Sequence, residues 1–268
     1  MPDILQQILA TKRGEVEAAR QAVPLEAVRE RAAAASPPRD FAGVLQRQAA
    51  AGRPAIIAEI KRASPSAGEF RAAFGGHFDP AEFARGYAAH GATCLSVLTD
   101  RKYFKGDPLH LAEARSACSL PVLRKDFLVD PYQIFEARAM GADAVLFIMG
   151  TQPVETFQSW EQLALGLGMS VLAESHHKAE LMDALQLKTP LIGINNRDLT
   201  RFQTDVQTTL RMQHLLPADR LLVTESGIEN APTLQMLWKG GIRGFLVGGA
   251  LMAAPDPGKA LAGLMADT

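Results

Sequence analysis

Six polar side chains stand at the ends of apolar runs in the sequence, and their types are those that transfer protons or bind charged ligands. They are Glu59, Lys61, Lys125, Glu174, Asn195 and Glu225. Any one of them alone could form a structural salt bridge. Burying so many charges together is costly unless they pair with one another or act on a ligand. The set therefore predicts a functional site.

Eight short apolar runs carry these residues, and each is followed by a longer amphipathic stretch. The runs span residues 55–60, 94–99, 121–126, 144–149, 170–175, 191–196, 221–226 and 244–249. Many lack an alternating polar face, which is typical of strands buried on both sides. Strict alternation of strand and helix indicates a parallel sheet. The rival is an open doubly wound sheet, but no GxGxxG follows the first strand. We predict a (β/α)8 TIM barrel over residues 51–268.

Capping residues support the helices between these strands. Asp79, Asp107 and Asp130 each precede a proline, which favours a helix start. Gly91, Gly141 and Gly240 are predicted to end three helices. Residues 1–50 are rich in Ala, Arg, Glu and Gln and have apolar residues at helical spacing. We interpret residues 1–50 as an N-terminal helical extension that packs on the barrel.

Active sites of such barrels lie at the carboxyl ends of the strands, where the polar residues above are expected to meet. The loops after the seventh and eighth strands often bind phosphate, and Gly227, Gly248 and Gly249 fall there. His176 and His177 open a helix and are interpreted as solvated surface. No HxxxH or Cys/His cluster is present in the sequence, so we assign no metal.

The composition of the chain limits the classes of molecule that the protein is expected to bind. The formal net charge is −1, which does not favour nucleic acid or an anionic membrane. The two cysteines, Cys94 and Cys118, form no disulfide framework, and no apolar stretch suits a signal peptide or a membrane span. We expect a cytoplasmic protein, a monomer or weak homodimer, whose partner is a small phosphorylated molecule.

Five motifs carry a family resemblance. IAEIKRASPSAG, SVLTDRKYFKG, VLRKDFLVDPYQI, GINNRDL and VTESGI occur in this order along almost the whole chain. Together they closely resemble indole-3-glycerol phosphate synthase. The resemblance implies a cofactor-free carboxy-lyase of tryptophan biosynthesis. Such an enzyme closes, decarboxylates and dehydrates 1-(2-carboxyphenylamino)-1-deoxyribulose 5-phosphate.

The resemblance also implies a role for each matching residue. Lys125 is similar to the general acid that protonates the substrate ketone, and Glu59 and Glu174 to the acid–base carboxylates. Lys61 would pair with the substrate's carboxylate and support dehydration. Asn195 and Glu225 would orient the substrate's hydroxyls and Lys125. Phe127 and Pro65 would contact the aromatic ring of the substrate. The other implied contacts are polar ones from Ser64, Arg197 and Ser226, and contacts to the phosphate from Gly227, Gly248 and Gly249.

The sequence departs from the family pattern at a few positions. Ala67 stands where a basic residue is common, Gly249-Ala250 where side chains often help to bind phosphate, and Ser175-His176 where Val-His is more usual. Every implied acid and base is retained. Alternatives are a phosphoribosylanthranilate isomerase, a Schiff-base aldolase that uses Lys125, and a barrel that binds a phosphorylated metabolite without catalysis. An isomerase would need a cysteine at the carboxyl end of a strand, where the sequence has none.

Overall fold

The computed structural model describes residues 4–198 and 203–266. The predicted ranges 1–50 and 51–268 also contain residues 1–3, 199–202, 267 and 268, which lie outside this description. Eight barrel strands alternate with helices along the chain. The strands are β1 Ala55–Ile60, β2 Cys94–Leu98, β3 Val122–Lys125, β4 Ala144–Ile148, β5 Ser170–Ser175, β6 Leu191–Asn195, β7 Leu221–Glu225 and β8 Gly244–Val247.

The strands form a closed parallel barrel. Each strand pairs with its neighbours in the chain, and β1 closes the ring by pairing with both β2 and β8. Glu59 lies in register with Ser96 of β2, and Asn195 with Glu225 of β7. The predicted (β/α)8 barrel is confirmed, and all eight strands lie within their predicted runs. We call the end formed by the carboxyl ends of the strands the mouth, and the opposite end the floor.

Thirteen α-helices surround and extend the barrel within the described residues. They are α1 Ile4–Ala22, α2 Leu25–Ala34, α3 Phe41–Ala50, α4 Pro80–Ala89, α5 Arg101–Phe104, α6 Pro108–Ala117, α7 Tyr132–Ala139, α8 Val154–Gly166, α9 Lys178–Ala184, α10 Gln207–Met212, α11 Ala231–Lys239, α12 Gly249–Met252 and α13 Pro257–Leu264. Short 3-10 turns span Ala72–Phe74 and Gln213–Leu215, and a small hairpin of Ala63–Ser64 and Gly68–Glu69 follows β1.

Asp79 and Asp107 cap α4 and α6 as predicted, whereas α7 begins one residue later than predicted, after Pro131. Asp79 accepts hydrogen bonds from two backbone amides of α4, and Asp107 forms a capping box with His110 at the start of α6. Asp130 accepts from the amide of Tyr132, 2.8 Å away. Gly91 and Gly141 take positive φ just after their helices, as predicted. At the end of α11 the prediction was one residue early. There Gly240 keeps a right-handed conformation, and Gly241 adopts the left-handed one that ends the helix.

Apolar packing falls into two main layers. One cluster fills the space between the strands and the outer helices, and the other fills the barrel interior. The interior cluster includes Phe41 and Leu45 of α3, which cover the floor, where the Cys94 thiol donates to the carbonyl of Phe41. Ile8 and Leu9 of α1 join the same cluster beside Phe127. Helices α1 and α3 therefore pack on the barrel, while the domain boundary after residue 50 remains a prediction.

Membrane spans require long apolar helices. Across residues 4–198 and 203–266, no helix combines the length and apolar character that such a span needs.

Candidate active site

A cavity of about 490 Å³ opens at the mouth of the barrel. Every site residue named from the sequence lines it, except Pro65: Glu59, Lys61, Ser64, Lys125, Phe127, Glu174, Asn195, Arg197, Glu225, Ser226, Gly227, Gly248 and Gly249. The barrel brings these residues together because the carboxyl ends of its parallel strands meet at one rim. Phe70, Phe104 and Ile228 also line the wall.

Lys125 occupies the centre of this site. Its Nζ lies 2.7 Å from Oε2 of Glu174 and 2.6 Å from Oε2 of Glu225. Burial lowers the pKa of Lys125, but the carboxylates of Glu174, Glu225 and Glu59 outweigh burial and raise that pKa above its ordinary value. Lys125 is therefore a cation.

Glu174 and Glu225 differ in their ionisation. Burial raises the pKa of the Glu174 carboxyl, but Lys125 and His176 together hold it well below its usual range. Burial and the nearby charge of Glu174 raise the pKa of Glu225 to about 8, despite Lys125. Two adjacent buried carboxyls cannot both ionise cheaply, so the pair shares one proton near neutral pH. Glu225 can then donate a hydrogen bond.

The space for Glu225 depends on a glycine in the neighbouring strand. A Cβ at Gly193 would lie 2.5 Å from Oε1 of Glu225. In the described part of the chain, this buried oxygen has no hydrogen-bond partner. It packs against the backbone of β6.

Glu59 and Lys61 form a second ion pair at the end of β1. Lys61 Nζ lies 2.5 Å from Oε2 of Glu59 and 5.4 Å from the ring centroid of Phe70. Glu59 is buried, whereas Lys61 keeps partial access to the cavity. A Cβ at Gly248 would lie only 2.1 Å from Oε2 of Glu59, so this position requires glycine.

Asn195 links Glu174 to the loop that follows β6. Its Nδ2 donates to Oε1 of Glu174 at 3.1 Å, and its Oδ1 accepts from the amide of Arg197 at 3.0 Å. The Arg197 guanidinium then reaches Ser66 Oγ at 2.8 Å across the cavity rim. These contacts fix one carboxylate oxygen of Glu174 and place a cation at the edge of the cavity.

Two backbone segments at the mouth suit an anion. Ser226 and Gly227 after β7 both have positive φ, of 66° and 80°. Gly248 and Gly249 begin the short helix α12 after β8. The first amides of a helix have no acceptor within it and can donate to phosphate oxygens. A Cβ at Gly227 would clash with Thr204 and Val206, so the chain comes close there.

Aromatic side chains form another part of the wall. Phe127 and Phe104 pack with ring centroids 5.9 Å apart. Ser64 lies in the hairpin after β1, where its Oγ accepts from the amide of Ala67 at 3.2 Å. Pro65 is exposed at the hairpin tip and is absent from the cavity wall. Its contact with the aromatic ring of the substrate stays a prediction.

The interpretation of His176 as solvated surface was wrong. Only 12% of its side chain is exposed, against 63% for His177, and its Nε2 lies 3.3 Å from Oε1 of Glu174. The sequence spacing of Glu174 and His176 could have shown this, because side chains two residues apart in a strand point to the same side of the sheet. The end of β5 therefore carries the side chain of His176 toward that of Glu174.

The closed barrel and the ion-paired lysine in its mouth define a TIM barrel with a cluster of ionisable groups at the carboxyl ends of its strands. Comparison with known proteins identifies the family within this class of barrels. The family model "Indole-3-glycerol phosphate synthase" matches residues 5–264. This chain belongs to the indole-3-glycerol phosphate synthase family.

Curated relatives of that name are similar over nearly their full lengths. The protein from Burkholderia vietnamiensis (strain G4 / LMG 22486) is 53% identical over 262 residues, which are 98% of each chain. The one from Dechloromonas aromatica (strain RCB) is 53% identical over 266 residues, which cover 99% of this chain and 100% of the relative.

Solved structures with low identity share the fold. A tryptophan synthase alpha chain from Legionella pneumophila subsp. pneumophila superposes with a TM-score of 0.60 at 12% identity, covering 84% of this chain and 95% of the other. The thiamine phosphate pyrophosphorylase from Pyrococcus furiosus gives 0.58 at 17% identity, covering 79% and 93%. These two similarities concern the barrel alone.

Proposed function

We propose that this protein is an indole-3-glycerol phosphate synthase, a carboxy-lyase of tryptophan biosynthesis. Its substrate is 1-(2-carboxyphenylamino)-1-deoxyribulose 5-phosphate, and its products are indole-3-glycerol phosphate, carbon dioxide and water. The observation that carries the proposed mechanism is the Lys125 cation, held between Glu174 and Glu225 inside the mouth.

Ring closure needs an activated ketone, because the aromatic carbon that attacks it is a weak, neutral nucleophile. The electrons of the ring form the new carbon–carbon bond, and the ketone oxygen takes a proton from Lys125 and becomes a hydroxyl. An oxygen that develops negative charge is far more basic than an amine, so Lys125 can give up its proton at this step. The Glu174 carboxylate and the Glu225 carboxyl group hold and orient the ammonium group beforehand.

Decarboxylation follows from the same intermediate. The bond to the carboxylate breaks, carbon dioxide leaves, and the bonding electrons return to the ring and restore its aromaticity. No cofactor is required for this step. Lys61, paired with Glu59 at the cavity edge, would bind the substrate's carboxylate until it departs.

Dehydration completes the indole. An acid must protonate the new hydroxyl, which leaves as water, and a base must remove a proton from the carbon next to the nitrogen. Glu59 and Glu174 are the acid–base carboxylates in this proposal, with Lys61 supporting the loss of water. Asn195 and Glu225 would orient the substrate's hydroxyls, while Glu225 also holds Lys125.

The rest of the cavity would hold the two ends of the substrate. The amides of Gly227, Gly248 and Gly249 suit the phosphate. Phe127, with Phe104 beside it, suits the aromatic ring. Ser64, Arg197 and Ser226 supply the remaining polar groups of the wall.

A Schiff-base aldolase is disfavoured by the state of Lys125. Such an enzyme needs a neutral amine that attacks a carbonyl, and the carboxylates around Lys125 raise its pKa and keep it protonated. An isomerase with a catalytic cysteine is disfavoured because Cys94 is buried at the floor, next to Phe41.

The deciding experiment is a turnover assay with the purified protein. We expect indole fluorescence to rise when the carboxyphenylamino-deoxyribulose phosphate is added, with one carbon dioxide released per product. Treatment with borohydride in the presence of substrate should leave the activity intact. The proposal fails if the folded protein forms no indole, or if borohydride inactivates it through Lys125.

Two finer expectations belong to this proposal. We propose a cytoplasmic location and a monomer or weak homodimer. Sedimentation at several protein concentrations tests the second expectation, since a stable assembly would give one larger species throughout.

A further inference from the structure

His176 lies between two carboxylates. Its Nε2 lies 3.3 Å from Oε1 of Glu174, and its Nδ1 lies 3.1 Å from Oε2 of Glu180 in the first turn of α9. An ionised carboxylate can only accept hydrogen bonds. Nδ1 therefore carries the proton of its hydrogen bond to Glu180. Nε2 forms no aligned hydrogen bond, but it is buried 3.3 Å from a carboxylate oxygen, and this close approach favours a protonated Nε2 and hence an imidazolium.

The surroundings of the ring agree with this assignment. Burial lowers the pKa of His176, but the hydrogen bonds and charges of Glu174 and Glu180 outweigh burial and raise it to about 10. An ordinary histidine loses its proton near pH 6.5. His176 is thus charged over the whole neutral range.

Glu180 holds the imidazolium from behind. Its Oε2 also accepts the backbone amide of His176 at 2.6 Å. Gly150, after β4, leaves room for Glu180, since a Cβ there would lie 2.7 Å from Oε1 of Glu180. Three strand ends therefore contribute to one arrangement, because β4 makes space for Glu180, β5 carries His176, and β3 carries Lys125.

Among the described residues, several charged or polar groups lie around Glu174. Lys125 contacts Oε2, while Asn195 and His176 contact Oε1. Glu225 faces Glu174 across the Lys125 ammonium, and Glu59 acts on Lys125 from β1. During the reaction Lys125 gives up its proton, so one of the two cations beside Glu174 is temporarily lost. The other is His176.

We propose that His176 is a positioning residue for Glu174, an imidazolium that fixes one oxygen of this carboxylate and keeps it ionised while Lys125 transfers its proton. The inference rests on the proposed function. It assigns to His176 no contact with the substrate and no proton transfer of its own.

The first test is the pH profile of His176→Gln. Glutamine keeps a hydrogen-bond donor but loses the charge. The pKa of Glu174 should then rise, because burial is no longer opposed by this cation, and the acid limb of kcat/KM should move up by about one pH unit or more. We expect kcat to fall about tenfold and KM to change little, and His176→Leu to lose more than His176→Gln.

Two further variants separate positioning from general damage. His177→Asn is the matched control, since it changes the adjacent, exposed histidine, whose Nε2 lies 3.3 Å from Oε1 of Glu180, and leaves in place Glu174 and the Glu180 oxygen that binds His176. Its pH profile should match the unmodified enzyme. Glu180→Gln keeps His176 in place but removes the carboxylate behind it, so we expect a smaller shift of the acid limb in the same direction. The proposal would be overturned if the acid limb of the kcat/KM profile kept its position in both His176→Gln and Glu180→Gln.

The last measurement needs no activity. In protein labelled with 15N-histidine, the ring signals of His176 are those lost in His176→Gln. Both nitrogens should remain protonated at pH 8, and a neutral ring there would also overturn the proposal. A protein that shows the imidazolium but forms no indole would contradict the proposed function instead, so the two failures can be told apart.

Discussion

The ammonium group of Lys12 in α1 lies 3.0 Å from Oδ1 of Asp126, the residue that directly follows Lys125. It also lies 2.9 Å from Oδ2 of Asp100, at the end of the β2 segment. All three side chains are buried. The N-terminal extension thus neutralises two carboxylates beside the active-site lysine.

Replacing Lys12 with methionine should destabilise the protein strongly. Asp100 would lose its ion pair with Lys12, and Asp126 would keep Arg124 as an ion-pair partner. Removing one partner of a buried pair typically costs about 3–5 kcal/mol. The free energy of unfolding in urea measures this loss. The control is Arg29→Met, because Arg29 pairs with Glu26 on the surface and should contribute under about 1 kcal/mol. Equal losses in both variants would contradict the role of Lys12.

Replacing Lys125 with alanine should lower kcat by about 10²-fold or more, the scale of a lost general acid. The fold should persist, because the proton that Glu174 and Glu225 already share near neutral pH limits the repulsion between them. Steady-state kinetics and circular dichroism of the variant test both statements. A rate near that of the unmodified enzyme would refute the proposed acid.

Replacing Glu174 with glutamine should reduce kcat by about 10²-fold while changing KM less, because the charge acts during the reaction more than in binding. Glu161→Gln is the matched control. Glu161 is equally buried, but its oxygens accept the amides of Lys188 and Thr189, far from the mouth. The Glu161→Gln variant should lose stability and keep the kcat of the unmodified enzyme. An effect of Glu174→Gln confined to KM would be incompatible with an acid–base role.

Replacing Gly248 with alanine should displace Glu59, since the new Cβ would lie 2.1 Å from its Oε2. A displacement of about 1 Å in an active site can cost about 10²-fold in rate. Gly249→Ala provides the comparison, because the nearest atom to its Cβ would be Phe70 Cε1 at 4.0 Å. We expect kcat/KM to fall much further for Gly248→Ala. Similar losses would show that the approach to Glu59 is unimportant.

The raised pKa of Glu225 predicts a dependence of stability on pH. This pKa is about 8 in the folded protein, above that of an exposed glutamate in the unfolded chain. The folded state therefore binds more protons, and this contribution to stability falls as the pH rises through 8. Glu225→Gln resembles the neutral acid and does not titrate. Its free energy of unfolding, relative to the unmodified protein, should thus increase between pH 6.5 and 9. A constant difference would contradict the assignment.

Much of this architecture follows from local patterns. The eight apolar runs predict the barrel because each is followed by an amphipathic stretch that suits a helix, and parallel strands bring the polar residues at their carboxyl ends to one rim. Glu59, Lys125 and Glu174 could be placed there without knowing their distances. The ion pairs themselves could not be predicted, since Lys125 reaches across the barrel to strands 49 and 100 residues away in sequence.

The sequence is least informative where side-chain direction depends on tertiary packing. Pro65 shares a segment with Ser64, yet the hairpin buries one and exposes the other. His176 and His177 are adjacent and identical in type, but the end of β5 turns only the first inward. Lys12 is one of several charges in α1, and only contact with the ends of β2 and β3 distinguishes it.

The seal that α3 forms across the floor has a consequence for ligand exchange. In the part of the chain that the structure describes, Phe41 and Leu45 cover that end and packed side chains fill the interior. Small molecules therefore reach Lys125 from the mouth alone. Indole-3-glycerol phosphate must depart by the route its precursor uses to arrive, so a new substrate molecule cannot enter until the product has left.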